Sequence, residues 1–166
     1  MALRSGVVCG EDYAELVNTC KDGGYALAAV NCVGTGSINA VMEAAAKNNS
    51  DVIIQFSNGG TQFYAGAGMQ DTFKAKVLGA VSAAQHVHLL AEHYGICVVL
   101  HTDHANRKLV PWVDALVDHS EEYYKEHSKA LYSSHMLDLS VENIDDNLNE
   151  CARMLERMSK LEMSLE

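Results

Sequence analysis

Residues Ile96–Asp103 have the sequence ICVVLHTD, an apolar run that closes on polar residues. A short continuous run of this kind is typical of a strand buried on both faces of a parallel sheet. Before it, apolar residues of Phe73–Tyr94 recur at helical spacing, and Gly95 marks the end of that helix. After it, Pro111 fits the first turn of another helix, which reaches about His127. The stretch therefore predicts a parallel strand between two crossover helices.

The same alternation of strand and helix extends along the rest of the chain. Further strands are predicted at Tyr25–Val33, Val52–Ser57, Ala130–Leu139 and Glu162–Glu166. One helix is predicted at Gly10–Asp22, and a second is predicted to begin after Ser37, which would be its N-cap. A further helix is predicted from a stripe of apolar residues that we expect to be buried, formed by Ile144, Leu148, Cys151, Leu155 and Met158. A glycine-rich loop is expected after Asn58-Gly59-Gly60. The order indicates an α/β fold, either an open doubly wound sheet or part of a (β/α) barrel.

Composition limits the class of protein. The 166 residues are 48% hydrophobic and 20% charged, which predicts one globular domain over residues 1–166. The 12 basic against 22 acidic residues give a net charge of −10, which argues against nucleic acid and anionic membranes as partners. Because the sequence has neither an apolar run of about 20 residues nor a secretory signal at Met1–Cys9, we expect a cytoplasmic protein. The five cysteines form no Cys-x-x-Cys motif and are expected to be reduced.

Polar residues occur at the carboxyl ends of the predicted strands, where ligands bind in both architectures. Strand by strand, they are Asn31, Ser57-Asn58, His101–His104, His135 with Asp138, and Glu166. Because the carboxyl ends of parallel strands meet at one edge of a sheet, we expect these residues to face one mouth.

His101-Thr102-Asp103-His104 is the sharpest of these clusters. Residues two apart on a strand share a face, so His101 and Asp103 are expected to point together, with His104 able to turn inward over the rim. Imidazole is the commonest metal ligand, and a neighbouring carboxylate can act as general acid or base. The alternative is a pair of hydrogen-bonded histidines beside a helix-capping aspartate.

Three other strand ends leave alternatives open. Asp138 is either a second metal ligand or the cap of the following helix, a role for which Ser140 competes. Ser57 with Gly59-Gly60 either places a hydroxyl and backbone N–H groups on a phosphate oxygen or forms an ordinary turn. Asn31 is either a substrate contact or a turn residue.

The stretch VVLHTDHANRKLVPW, residues 98–112, resembles the metal-site signature of class II fructose-bisphosphate aldolases. Three further segments match that family in order: AVNCVGTGSINAV, VIIQFSNGG and LYSSHMLDLS. The closing SLE resembles the first part of the family's Leu-Glu-x-Glu signature. The Lys-Leu-x-Pro-Trp continuation and Ser-Ser-His-Met-x-Asp-Leu-Ser favour the fructose-bisphosphate branch over tagatose-bisphosphate aldolases.

The resemblance implies a TIM (β/α)8 barrel, of which this chain covers about the first four βα units plus the start of the fifth strand. It implies a cytoplasmic lyase of glycolysis and gluconeogenesis, usually dimeric. The family cleaves fructose 1,6-bisphosphate to glycerone phosphate and glyceraldehyde 3-phosphate and catalyses the reverse condensation. Zinc polarises the ketone of the substrate, a Lewis-acid role.

The resemblance also assigns roles to the residues that match the family's motifs. It makes His104 a zinc ligand, Asp138 a ligand at a second divalent-metal position, and Asp103 the acid/base that exchanges a proton with the C4 hydroxyl of the substrate. For binding, it implies that Ser57 contacts a substrate phosphate and that Asn31 lines the pocket, with supporting positions at His101 and Glu166.

Glu166 falls about halfway along the family's length, and two further zinc histidines and the late phosphate loops of the family lie beyond it. We therefore expect an incomplete site in these 166 residues, with a homodimer or a complementing second half as partner. Two alternatives stay open: a tagatose-bisphosphate-type class II aldolase, and a non-catalytic half-barrel protein of interaction or assembly.

Overall fold

Six parallel strands form one sheet in the computed structural model, which describes residues 3–166. They are β1 (Gly6–Val7), β2 (Ala29–Asn31), β3 (Val52–Phe56), β4 (Cys97–Ala105), β5 (Ser134–Leu137) and β6 (Ser164–Leu165). Each lies at or next to a predicted position except the two-residue strand β1, which was not predicted.

Six α-helices connect and cover the strands of the described chain. They are α1 (Gly10–Gly23), α2 (Thr35–Lys47), α3 (Asn58–Ala65), α4 (Thr72–Tyr94), α5 (Val110–His127) and α6 (Ile144–Met158). The carboxylate of Asp71 caps α4 by accepting the N–H of Lys74 at 3.0 Å, and Gly95 ends it in the left-handed conformation at φ 71°. Over residues 3–166, none of the helices has the length and apolar character needed to cross a membrane.

The strand order decides between the two predicted architectures. Neighbouring strands run β2-β3-β4-β5-β6, in chain order and all parallel, while β1 pairs with β4. An open doubly wound sheet reverses its strand order at a switch point, whereas a barrel keeps chain order around its circumference. The sheet is therefore an arc of a (β/α) barrel, with β2 and β6 at its two edges.

The two faces of the sheet bury different clusters. Val98 and Leu100 of β4 point to the outer face and join the main core beneath α2, α4, α5 and α6. Cys97 and Val99 alternate with them and pack on the inner face against Leu16 of α1. All five cysteines are free thiols, as predicted, and four of them are buried.

Helix α1 ties the beginning of the described chain to its end. The N–H of Gly10 donates to the carbonyl of Glu162 at 2.8 Å, and the ammonium of Lys129 donates to the carbonyl of Val7, also at 2.8 Å. Together with the inner-face cluster, these bonds hold α1 across the amino-terminal end of the arc.

Two local predictions are corrected. Asn58–Ala65 form helix α3, where a turn and the start of a glycine-rich loop were predicted, because the Ser57 hydroxyl accepts the N–H of Gly60 at 3.1 Å and nucleates the first turn. The loop itself is limited to residues 66–71. Helix α2 has Gly34 as its N-cap and not Ser37, whose hydroxyl instead accepts the N–H groups of Val33 and Gly34 from within the first turn.

The predicted buried stripe of α6 is wrong at three of its five positions. Ile144, Leu148 and Leu155 are 66%, 59% and 45% exposed. Helix α6 is buried through Met154 and Met158, so the part of the stripe formed by Ile144, Leu148 and Leu155 points away from the sheet.

Ion pairs link α6 to its neighbour α5. Arg153 makes two hydrogen bonds to Asp114, at 2.9 and 2.8 Å, and Arg157 reaches Asp118 and Glu121 on the same helix. Charged contacts therefore hold one side of α6 to α5, while the apolar stripe of Ile144, Leu148 and Leu155 remains open.

Gly79→Ala is expected to destabilise the protein. A Cβ at Gly79 would overlap the carbonyl oxygen of Thr61, where α4 packs on α3. Overpacking of this kind costs about 1–3 kcal/mol, which exceeds the gain of about 1 kcal/mol from a better helix former. The measurement is urea unfolding, with Gly36→Ala in α2 as matched control, because a Cβ there meets open space. Equal stability of the two variants would contradict the close packing of α3 and α4.

Leu148→Gln is expected to leave stability within about 0.5 kcal/mol of the parent, because this side chain of α6 is exposed. Met154→Ala in the same helix is expected to cost roughly 2–5 kcal/mol, because it empties a buried site. Chemical denaturation of both variants checks the orientation of α6. A large loss at Leu148 would mean that the stripe is covered.

Candidate functional site

A cavity of about 290 Å³ lies on the inner face of the sheet. Strands β2 to β5, the residue after β6 and helix α1 all contribute to its wall, through Tyr13, Ala29, Ile53, Gln55, Val99, His101, Asp103, His104, Ser134, Met136 and Glu166. Of the residues predicted at strand ends, His101, Asp103, His104 and Glu166 line the cavity, whereas Asn31, Ser57, His135 and Asp138 do not.

One level of the inner face is polar across the whole arc. The register pairs Asn31 with Gln55, Gln55 with His101, His101 with Ser134, and Ser134 with Ser164. Gln55, Ser134 and Ser164 were not predicted as site residues, because the polar residues at strand ends alone were taken as candidates. The signal was available, since Gln55 interrupts an otherwise apolar strand two residues after Ile53.

Asp103 and His104 are neighbours in sequence, yet both line the cavity. Strict alternation would send them to opposite faces of the sheet. The pairing of β4 with β5 explains why both side chains point to the cavity. Thr102 pairs with His135, and Ala105 pairs with Leu137. Two residues of β4 thus oppose one residue of β5, which is the pattern of a β-bulge.

Asn31 orients the carboxylate of Asp103. The amide nitrogen of Asn31 donates to Oδ2 of Asp103 at 2.9 Å. Asn31 ends β2 and Asp103 belongs to β4, so this bond reaches across the strand between them, β3. The other oxygen of Asp103, Oδ1, lies 3.9 Å from Nε2 of His104. One carboxylate oxygen is therefore fixed, while the second faces the imidazole.

His104 is paired with Asp138, which follows β5. Nδ1 of His104 lies 3.0 Å from Oδ2 of Asp138, and Oδ1 of Asp138 accepts the hydroxyl of Ser140 at 2.7 Å. The bond to Asp138 raises the pKa of His104 above its usual value. The bonds from Ser140 and then from His104 lower the pKa of Asp138. Helix α6 is capped by Asn143, so neither Asp138 nor Ser140 has the predicted capping role.

His101 points into the cavity with Asp103, as predicted, but it is buried. Its Nδ1 bonds the hydroxyl of Ser134 at 2.8 Å, and its Nε2 lies 3.5 Å from Oε2 of Glu166. Burial lowers the pKa of His101, and the nearby carboxylates of Glu166 and Asp103 oppose that shift.

Two predicted site residues have other surroundings. Ser57 caps α3, because its hydroxyl accepts the N–H of Gly60, so the predicted phosphate contact or turn lies at the start of a helix. His135 points away from the mouth, because it alternates with the cavity residues Ser134 and Met136 and stacks on the buried ring of Tyr132 at 5.1 Å. Burial of its imidazole lowers the pKa of His135 to about 3.

The comparisons with known proteins agree on a family. The family described as Fructose-bisphosphate aldolase class-II matches residues 11–166. The chain belongs to the class II fructose-bisphosphate aldolases. It is 51% identical to the fructose-bisphosphate aldolase class 2 of Escherichia coli (strain K12), with 99% of this chain and 46% of that protein aligned. The Campylobacter jejuni aldolase is 52% identical with the same coverage. The chain thus spans about half the length of these class II aldolases.

Solved structures identify the fold. The crystal structure of the Campylobacter jejuni fructose-bisphosphate aldolase matches 97% of this chain and 46% of its own, with a TM-score of 0.93 and 52% identity. A Coccidioides immitis protein of 17% identity gives a TM-score of 0.67 over 91% of the chain, which concerns the fold alone. The predicted partial TIM barrel is therefore confirmed.

Class II aldolases are generally metal-dependent, so we tested whether the side chains fit a metal. His104 offers an imidazole nitrogen, and Asp103 and Asp138 offer carboxylate oxygens. Within residues 3–166, no group of three His, Cys, Asp or Glu side chains is arranged to hold a metal ion. A catalytic zinc takes three protein ligands. These donors are of the right chemistry, but they do not complete a coordination shell.

Stability is expected to fall as the pH falls below about 6.5, the ordinary pKa of histidine. Burial lowers the pKa of His135 to about 3 and that of His88 to about 4, so both imidazoles are neutral in the folded protein near pH 5. The unfolded chain binds more protons in this range, and each histidine then removes about 1.4 kcal/mol of stability per pH unit.

Urea unfolding at pH 7 and pH 5 measures this effect. His135→Asn is expected to reduce the loss of stability between the two pH values by about 2 kcal/mol. His93→Asn, at an exposed position of α4, is the matched control and is expected to leave the pH dependence unchanged. A His135→Asn variant with the parent's pH dependence would contradict a neutral buried imidazole.

Proposed function

We propose that this chain forms the amino-terminal half of a zinc-dependent aldolase that cleaves fructose 1,6-bisphosphate to glycerone phosphate and glyceraldehyde 3-phosphate. The observation that carries the proposal is the convergence of Asp103, His104 and Asp138 at the carboxyl ends of adjacent strands, in a chain 51% identical to a named class 2 aldolase. Ligand chemistry in barrels of this kind belongs to that end of the strands.

Asp103 is the residue that we assign to proton transfer. As a carboxylate, it would accept the proton of the C4 hydroxyl while the C3–C4 bond breaks and the bonding electrons move toward the C2 ketone. Its side chain is 23% exposed, and Asn31 fixes one of its oxygens. A held carboxylate with one oxygen free for the substrate supports this role, because little reorganisation is needed at the moment of transfer.

His104 and Asp138 are the residues that we assign to metal. The bond between Nδ1 of His104 and Asp138 leaves Nε2 as the nitrogen available to zinc, and a carboxylate behind a ligating histidine is a common way to orient it. Asp138 itself would serve a second divalent metal. Further zinc ligands must come from outside the described residues.

Substrate binding is assigned to Asn31, which bonds the cavity residue Asp103, and to Ser57. The phosphate role of Ser57 is supported by its place at the amino terminus of α3, where backbone N–H groups and the helix dipole favour an anion. His101 and Glu166 would support the site, as a pair 3.5 Å apart in which His101 is buried and Glu166 is exposed.

The free edges of β2 and β6 support a partner that supplies further βα units. Barrel closure removes both edges, and it would also bring structure beside α6, where Ile144 and Leu148 are exposed. We propose that a second copy of the chain or a complementing second half plays this part. The same exposed features favour the second candidate function, a non-catalytic half-barrel protein of assembly.

A chimera separates the two functions. The chain would replace the matching amino-terminal part of the Escherichia coli relative, and cleavage of fructose 1,6-bisphosphate would be measured with zinc and after chelation. We expect activity that is lost on chelation. In the chimera, Asp103→Asn is expected to lower kcat by about 10²–10⁴-fold, the contribution of a general acid or base.

Asp118→Asn is the matched control, because Asp118 is an exposed carboxylate on α5 that pairs with Arg157. It is expected to leave kcat unchanged. An inactive chimera that is folded and binds zinc would favour the assembly function. Preference for tagatose 1,6-bisphosphate would move the chain to the other branch. The 166-residue chain alone is expected to be inactive, and cleavage by it would contradict the need for a second half.

A further inference from the structure

The bulge in β4 raises the question of what holds its register. An extra residue can slip along a strand, and a slip by one residue exchanges the faces of all side chains beyond it. In this sheet, a slip would send Asp103 or His104 toward the helices. The bulge therefore needs a fixed point on its amino-terminal side, at the last regular pair of residues, Thr102 and His135.

That last pair carries a side-chain hydrogen bond in addition to the backbone ladder. Oγ1 of Thr102 and Nδ1 of His135 lie 2.7 Å apart, and neither residue is exposed to solvent. The bond lies on the outer face of the sheet, opposite the cavity. It is therefore distinct from the contact of His101 with Ser134, which joins the preceding pair of residues on the inner face.

A histidine at position 135 lowers the stability of the folded protein. Its Nε2 is buried and has no hydrogen-bond partner among the described residues. Burying an unsatisfied polar atom costs free energy that an apolar side chain of similar size would avoid. The contact with Thr102 is its one polar bond in the structure, which points to a role in the register of β4.

We infer that His135 is a positioning residue, which acts through Thr102 to lock the register of β4 ahead of the bulge and so presents Asp103 and His104 together to the cavity. The inference rests on the proposed function only for the roles of Asp103 and His104 in the site. Beyond the bulge, the same register sets the bond from the Asp138 N–H to the Ala105 carbonyl at 2.9 Å and the contact of Asp138 with His104.

Two measurements on the 166-residue chain test the register without substrate or metal. The first is native-state hydrogen exchange of the Asp138 amide, compared with the Ile53 amide, which donates to Ala28 at 2.9 Å far from the bulge. The second is the ¹⁵N chemical shift of Nδ1 of His104 at fixed pH, which reports its hydrogen bond to Asp138.

Thr102→Val and His135→Leu are the disrupting variants. Each is expected to reduce the protection of the Asp138 amide about tenfold more than that of the Ile53 amide, because local opening at the bulge adds to global unfolding. Each is also expected to move the Nδ1 shift of His104 to that of a ring without the bond. Thr102→Ser and His135→Asn keep a bonding atom and are expected to restore both signals.

Tyr132→Phe is the matched control. It removes a buried hydrogen bond of 2.8 Å from the Tyr132 hydroxyl to the Ala80 carbonyl in the same layer, but it keeps the ring that stacks on His135. It is expected to lower the protection of both amides equally and to leave the shift of His104 unchanged.

The inference would be overturned if Thr102→Val behaved like Tyr132→Phe in both measurements. Thr102 and His135 would then contribute to core packing without fixing the register of β4. Should His135→Leu fail to fold, Thr102→Val still gives the answer, because it changes a hydroxyl to a methyl group of the same shape. Failure of the aldolase proposal is seen separately, in the cleavage assay of the Asp103 variant, and does not alter these signals.

Discussion

The hydrogen bonding of β4 on both of its edges is the constraint on which the rest of the structure depends. Val98–Thr102 pairs with β3 on one side, while the other side is shared between β1 at its start and β5 further along. This strand can be apolar on both faces because its backbone groups are satisfied by neighbours. The outer core and the inner-face cluster both pack on it. The bulge that presents Asp103 and His104 is held between the same neighbours.

Sequence alone predicted the features that depend on local periodicity. The apolar run in Ile96–Asp103 predicted a buried parallel strand, and β4 begins and ends within two residues of those bounds. Alternation along that strand correctly put His101 and Asp103 on one face. Helix α4 was predicted almost to the residue, because Gly95 signals its end in the chain itself.

Features that depend on neighbouring elements were not predictable in the same way. The bulge has no local signature, because it is defined by the residues of β5 opposite and not by β4. The apolar stripe of Ile144, Leu148 and Leu155 is visible in the sequence, but periodicity does not say which surface covers a face. His135 was assigned to the mouth from its place near a strand end, although its side of the strand depends on register. In each case, the missing information is a contact with residues distant in sequence.

The contact of Gly10 with Glu162 has a consequence for the way the chain is made. The ribosome makes α1 well before the carbonyl of Glu162 that accepts the Gly10 N–H. The contacts of Cys9 with the Ala130 carbonyl and of Val7 with the Lys129 side chain likewise form only after those later residues have been made. Contacts this distant in sequence form slowly, because a long loop must close before they bring any gain. Helix α1 is therefore fully docked only after Glu162 has been made, and until then the inner face of the nascent sheet, with Cys97 and Val99, is open to chaperones and to other chains.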